Sequence, residues 1–256
     1  MLLLAWELVV RVLELRSPTI PPPSRVFLEV LKEALQLKGD AWITGIESLD
    51  GLLLALAAGF LLAGLDSTSK SVRRITEPVI SFMQRMPMIA LAPLIVTWIG
   101  FGSAPAVAVS FLLCLPPLAV NIKAGFDAAP NEILEILKIM DAPRLKSLWK
   151  VRVPSCLPFV LNGIKTTIPL ALAGATVAEF VGSNAGLGYT IIYGASRTEA
   201  SPLLAALTVL ALIALISSGI VCFMERTLIP WARFSPAGAT AIHIHDLHTF
   251  SIDRAD

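Results

Sequence analysis

Glu179 stands in an apolar run that also holds Thr166, Thr167, Gly174 and Thr176 and ends near Ser183. An ionisable group in such a run is costly to bury and marks a functional site by default. Its place just before Gly182 and Ser183 also allows it to face water. Elsewhere the reactive types are sparse. His243, His245 and His248 stand beside Asp246, a donor set of the kind that zinc accepts, but they fall in the polar stretch after Pro230. Cys114, Cys156 and Cys222 lie in or beside apolar runs without the paired spacing of a metal or redox motif. They read as small buried hydrophobes, and no metal is expected. No G-x-x-x-x-G-K-[ST] stretch occurs, so the usual phosphate cradle for ATP is missing. With histidines confined to the tail, no nucleophile and base constellation is available, and no enzyme activity is expected of this chain.

The elements that must carry these residues are set by composition. Of 256 residues, 55% are hydrophobic and 15% charged, and the mean hydropathy is +0.76, which excludes an ordinary soluble domain. The fold class expected is all-α, a polytopic transmembrane helical bundle. The net charge of +1 gives no basic surface for nucleic acid. A membrane crossing needs roughly 20 mostly apolar residues. Leu52 to Leu65 with its flanks, Met88 to Ile99, Ala104 to Val120, Pro158 to Val181 and Pro202 to Met224 meet that need. With Leu2 to Leu13 they make about six spans; that first segment is short and carries Glu7 and Arg11, and reads as a truncated start.

Cations near span ends set orientation. Lys70, Arg73, Arg74 and Arg85 follow the second span, and Lys123, Lys138, Arg144, Lys146, Lys150 and Arg152 follow the fourth, so both connections are expected in the cytoplasm with both termini. The Gly100 turn and the Arg197 connection then face outside. Arg16 to Asp50 fits less well, holding four cations and the acids Glu29, Glu33, Asp40 and Glu47. Val26, Leu28, Val30, Leu31 and Leu35 suggest an amphipathic surface helix there, after Pro21-Pro22-Pro23.

The connection over residues 125–154 is the most specific. Asn131 to Met140 is helix-compatible, Asp141-Ala142-Pro143 breaks it, and Arg144 to Val151 forms a second short helix ending at Pro154. Leu134, Leu137, Leu145, Leu148 and Trp149 among the cations give it the character of a plug for a groove on another protein. A solvated loop is the alternative. In the fifth span, Thr166, Thr167, Thr176 and Gly174 either line a pathway or let helices approach closely, and Pro169 is expected to interrupt its hydrogen-bond ladder. Met86-Pro87 marks a kink, read either as a gate or as a helix start.

The loop resembles the hallmark of the binding-protein-dependent permeases of ABC importers. Glu135, Asp141 in the place of the usual glycine, Val151 and Val153-Pro154 keep the spacing, while Ile136 and Leu137 replace the usual alanines. Asp visits the left-handed region at modest cost, so the same turn is expected. Trp6-Glu7-Leu8, Pro21 to Val26, Met86 to Leu94, Ala178 to Ser183 and Gly186-Leu187-Gly188-Tyr189 resemble the nitrate, sulfonate and taurine branch, which includes permeases for thiamine-precursor pyrimidines.

The resemblance implies a permease domain over residues 1–230 in a bacterial inner membrane; the tail over 231–256 is polar, lies outside the resemblance and is expected to be cytoplasmic and loosely ordered. It implies pairing with a second permease chain as a homodimer, docking of cytoplasmic ATPases that hold the ATP and Mg, and delivery of a small solute by an external binding protein. Coupling would fall to Glu135, Asp141, Arg144, Leu145, Leu148, Trp149, Val151 and Pro154. The translocation pathway would include Met86, Pro87, Thr166, Thr167, Thr176, Glu179 and Ser183, with Glu179 acting as a gate or helix anchor. A self-sufficient secondary transporter would show an inverted repeat and ion-coupling carboxylates in its spans, and no such repeat is visible.

Overall fold

The computed structural model describes residues 2–12, 21–141, 143 and 148–228. Arg144, Leu145 and the histidine-bearing tail lie outside the described residues. Every regular element among the described residues is helical. Helix α1 is Leu2–Val12, α2 is Pro23–Lys32, α3 is Ala34–Thr68 and α4 is Lys70–Arg85. A 3-10 turn over Met88–Leu91 leads into α5, Ala92–Ile99, and α6 is Ser103–Asp127. Helix α7 is Asn131–Ile139, a π-helical turn over Leu148–Arg152 runs into α8, Val153–Gly182, and α9, Leu187–Ser196, precedes α10, Ala200–Leu228.

Four helices, α3, α6, α8 and α10, are long and apolar enough to cross a bilayer, and the pair α4 and α5 makes a fifth crossing if it is one bent span. The described part of α1, 11 residues, is too short to cross by itself. The expected kink at Met86-Pro87 is present as a break, with the two halves of the pair bent by 85°. Proline cannot donate to the preceding turn, so α4 ends at Arg85 and a new helix starts beyond it. Met88–Leu91 thus belongs to a 3-10 turn rather than to a continuous apolar helix. Pro169 behaves differently. It lies inside α8, which continues through it from Val153 to Gly182, because its neighbours hold the helix by packing.

Two sequence expectations shift by an element. The amphipathic helix after the prolines is α2, but Leu35 belongs to α3, which starts well before the apolar run and carries Asp40, Thr44 and Glu47. Pro154 does not terminate a helix. It sits in the first turn of α8, where no intrahelical donor is required, and the chain passes from the π turn directly into the span.

The bundle centre is α6 between α3 and α8. Small residues set the spacing of these helices, as expected where packing rather than water drives association. A Cβ on Gly51 of α3 would lie 2.4 Å from Ser110 Cβ, and one on Gly174 of α8 would lie 2.8 Å from Ser110 Cα. Ser110 donates its hydroxyl to the Ala171 carbonyl at 2.8 Å across the same contact. Leu52, Ala55, Cys114, Leu118, Ile122, Cys156, Val160 and Leu172 form the core around it. At one end of the bundle, here called the cap end, Gly102 N–H donates to the Gly182 carbonyl at 3.0 Å, tying the turn before α6 to the end of α8. The opposite end carries residues 128–141 and 148–152 and is called the loop end.

Candidate functional site

At the cap end, the first turn of α9 begins with N–H groups that have no partner in their own helix. Side chains from α3 and α8 satisfy them. Gly186 N–H donates to Asp40 Oδ1 at 3.1 Å, Leu187 N–H to Thr44 Oγ1 at 2.9 Å and Gly188 N–H to Glu179 Oε2 at 2.6 Å. Thr44 donates its hydroxyl to Glu179 Oε1 at 2.6 Å, and Thr190 donates to Asp40 Oδ2 at 2.7 Å. The two carboxyl groups sit at the positive end of the helix dipole, where anionic groups are favoured. Glu179 is 1% exposed, so the reading in which it faces open water does not hold for this chain.

The glycines of this motif follow from Glu179. Gly186 has φ +102°, and a Cβ there would lie 2.5 Å from Glu179 Oε1. At Gly188 a Cβ would lie 2.5 Å from the Thr176 carbonyl and 2.7 Å from Glu179 Oε2. Each must lack a side chain for the carboxyl group to reach the backbone. Ser183, before the motif, donates its hydroxyl to the Ala185 carbonyl at 2.7 Å and accepts from Ala185 N–H at 3.2 Å, shaping the connecting turn. Glu47 lies beside this cluster, buried, with Glu179 and Ser103 as polar neighbours and without a well-formed hydrogen bond of its own.

Asp40, Thr44 and Glu47 were not singled out as site residues from the sequence, yet their spacing carried a signal. They recur every three or four residues, on one face of a helix that continues to Gly51 against Ser110. The remaining pathway candidates are placed as follows. Thr167 and Thr176 are buried and donate to carbonyls of their own helix, Gly163 at 2.8 Å and Leu172 at 2.7 Å. Thr166 is exposed and also donates to the Gly163 carbonyl. Met86 closes α4, and Pro87 is exposed at the bend.

At the loop end, α7 leaves the bundle with Ile133 and Ile136 exposed on it, followed by Ile139 at 84% and Met140 at 71% exposure. Trp149, on the π turn, is also exposed, as is Glu135, and Val151 is half-buried. Asp141 has φ +49°, the left-handed turn expected where the hallmark has glycine. Nearby, a cavity of about 320 Å³ opens between α3, α4 and α6, with Asp66, Thr76, Glu77, Ser81 and Lys123 among its walls.

A bundle of helices long and apolar enough to cross a bilayer defines a polytopic helical membrane protein, and comparison with known proteins specifies which kind. Residues 55–230 match the binding-protein-dependent transport system inner membrane component, and the chain belongs to that family. A probable ABC transporter permease protein of Haemophilus influenzae is 32% identical over 214 residues, 84% of this chain and 87% of that protein. The formylaminopyrimidine transport permease protein ThiX of Halalkalibacterium halodurans is 30% identical, over 91% of this chain and 93% of that one. The taurine transport system permease protein TauC of Escherichia coli is 29% identical, over 90% and 86%. Among solved structures, an inward-facing form of the MetNI methionine ABC transporter has a TM-score of 0.65 at 16% identity, covering 76% of this chain and 97% of that one, a likeness of fold. The chain is thus an ABC importer permease subunit, a multi-pass membrane protein without catalytic activity of its own.

Proposed function

We propose that this chain forms the translocation pathway for a small solute and takes its energy from ATP and Mg held by separate ATPase subunits docked on residues 125–154. The observation that carries this reading is the exposure of Ile133, Ile136, Ile139, Met140 and Trp149 on a loop outside the spans. Contiguous apolar surface in such a place marks a protein contact. Glu135, Asp141, Arg144, Leu145, Leu148, Val151 and Pro154 complete the docking element, with Asp141 holding the turn. The cation-rich connections support a cytoplasmic position for this end in a bacterial cell, with both termini on the same side. Residues 1–230 are the membrane domain and 231–256 a cytoplasmic tail.

Two copies of the chain pair around the pathway, and an external binding protein presents the solute at the cap end. Met86 and Pro87 at the bend, with Thr166, Thr167, Thr176 and Ser183 along α8 and beyond it, border the route, and Glu179 acts as an anchor for α9 rather than as a solute ligand. The relatives carry names for formylaminopyrimidine, taurine, aliphatic sulfonate and nitrate transport, so the solute class is a small heterocycle or a sulfonate-like or nitrate-like anion. Docking is tested by co-purification with the ATPase subunit. Arg144→Glu with Leu148→Asp is expected to abolish it while the permease still inserts in the membrane. A Leu in a partner groove contributes roughly 1.5–3 kcal/mol, and the carboxylate adds the cost of burying an unpaired charge. Normal co-purification of the double variant refutes the docking element.

A further inference from the structure

Helix α4 is attached to the bundle in an unusual way. None of its described residues is buried, and its apolar Ile75, Val79 and Phe82 point away from the bundle. The face turned inward carries the half-buried Val72, Thr76, Ile80 and Met83, and part of it overlies the cavity of about 320 Å³. Met83 packs against the core, and beside the cavity polar contacts tie the helix to its neighbours. Thr76 donates to Asp66 Oδ1 at 2.6 Å. Lys123 of α6 lies between Glu77 of α4, to which it is hydrogen-bonded, and Asp66 of α3, 3.9 Å away. Arg73 of α4 pairs with Glu77 at 2.9 Å and with Asp127 of α6 at 3.5 Å.

Both ends of α4 are joints. Ser69, before it, is extended, and Met86-Pro87, after it, carries the 85° bend. Lys123 and Asp127 are four residues apart on the last turns of α6, hence on one face, and both bond α4. Asp127 ends α6, and only Ala128, Ala129 and Pro130 separate it from α7. A displacement of α7 relative to the bundle therefore reaches Asp127 and Lys123 through only three residues.

We propose that the network Asp66, Arg73, Glu77, Lys123 and Asp127 is the linkage that carries movement of the 128–152 loop to α4, swinging it on its two joints over the cavity. This rests on the reading of that loop as the ATPase-docking element. Lys123 is the centre of the linkage, because its side chain is 22% exposed and that of Asp66 9%, whereas Arg73, Glu77 and Asp127 are about half exposed and screened. Lys123 and Glu77 are thus positioning residues, acting through α4 rather than on the solute.

The test uses the complex of the permease with its ATPase subunits in lipid nanodiscs. Nitroxide labels are placed at the exposed positions by Ile75→Cys on α4 and Leu61→Cys on α3, with Cys222→Ala; Cys114 and Cys156 are buried and out of reach of the label. The spin–spin distance distribution is recorded with and without a non-hydrolysable ATP analogue. A nucleotide-dependent shift is expected in the parent and in Lys123→Arg, and its loss in Lys123→Met, with the ATPase still bound. Glu77→Gln, at a half-exposed position, serves as the second variant should Lys123→Met fail to fold, and the same loss is expected. A persisting shift in these variants, or no shift in the parent, overturns the linkage. So does loss of the ATPase from Lys123→Met alone, since the network would then act on docking. Failure of the parent to bind the ATPase through this loop would instead remove the docking reading, and the linkage with it.

Discussion

Replacing Glu179 isolates what holds the cap end together. Its two oxygens accept from Gly188 N–H and from the Thr44 hydroxyl, both at 2.6 Å, and the three groups are buried. Glu179→Ala leaves the Gly188 N–H without an acceptor, at a cost of about 1–3 kcal/mol for a buried unpaired group. It also leaves a hole that cannot close, because the facing residues Gly186 and Gly188 have no side chains to fill it. Cavity formation brings the total to roughly 3–5 kcal/mol. Some of this is offset by removing a carboxyl group from beside Glu47, so a net loss of about 2–4 kcal/mol is expected. At about 2–4 °C per kcal/mol for a chain of this size, the unfolding midpoint should fall by roughly 5–15 °C. Glu179→Gln keeps a carbonyl for Gly188 and offers an amide donor to Thr44, whose hydroxyl rotates to accept it, so its midpoint should stay within about 3 °C of the parent. Tryptophan fluorescence during heating of the detergent-solubilised protein reads both. The reasoning is refuted if the alanine variant melts within about 2 °C of the parent, the range of an ordinary surface change, or if the glutamine variant falls as far as alanine.

Gly188→Ala should destabilise the same end, since its Cβ would meet the Thr176 carbonyl at 2.5 Å, whereas Gly219→Ala, with nothing within 4 Å, should be neutral or slightly stabilising in the same melt. Asp141→Gly should keep ATPase co-purification and Asp141→Val should weaken it, because φ +49° is open to glycine and strained for a β-branched residue; equal behaviour of the two would show that the turn does not matter. Membrane-impermeant thiol labelling of Ser103→Cys should proceed only from outside and of Lys150→Cys only from the cytoplasm, and the reverse pattern would invert the orientation.

Much of the bundle was legible because a bilayer imposes a length and an apolarity that few other structures need. The apolar runs around Leu52 to Leu65, Ala104 to Val120 and Pro202 to Met224 each lie within a long helix. Helix ends were less legible. Residues 34–51 read as a loop with an amphipathic helix because Lys38, Asp40 and Glu47 lower the local hydropathy, yet they extend α3. The polar groups of Asp40 and Thr44 are satisfied by α9 and its preceding turn, more than 140 residues away in sequence. Periodicity cannot reveal a partner at that separation. The left-handed turn at Asp141 was legible, because residue type and backbone conformation are coupled locally. The uninterrupted passage through Pro154 and Pro169 was not, because whether a proline ends a helix depends on what surrounds the freed carbonyls.

The two ends of the bundle are held by different forces, and the difference bears on where motion begins. At the cap end, Asp40, Thr44 and Glu179 are each 8% exposed or less; four hydrogen bonds link α3 and α8 to the first turn of α9, and a fifth joins α3 to α8. Hydrogen bonds in such low-dielectric surroundings are strong, and breaking them leaves buried groups unpaired. At the loop end, the ties between α4 and its neighbours centre on Lys123 and Asp66 but also include Arg73, Glu77 and Asp127, which are about half exposed and can exchange a protein partner for water. A force applied at residues 128–152 therefore meets the weaker set first. The cap end moves as one block, with α9 fixed to α3 and α8, while α4 turns about Ser69 and Met86-Pro87. On this account the bend in the third crossing and the charge on its first half belong together: the break supplies a pivot, and the ion pairs supply the grip through which α4 is turned without unfolding the core.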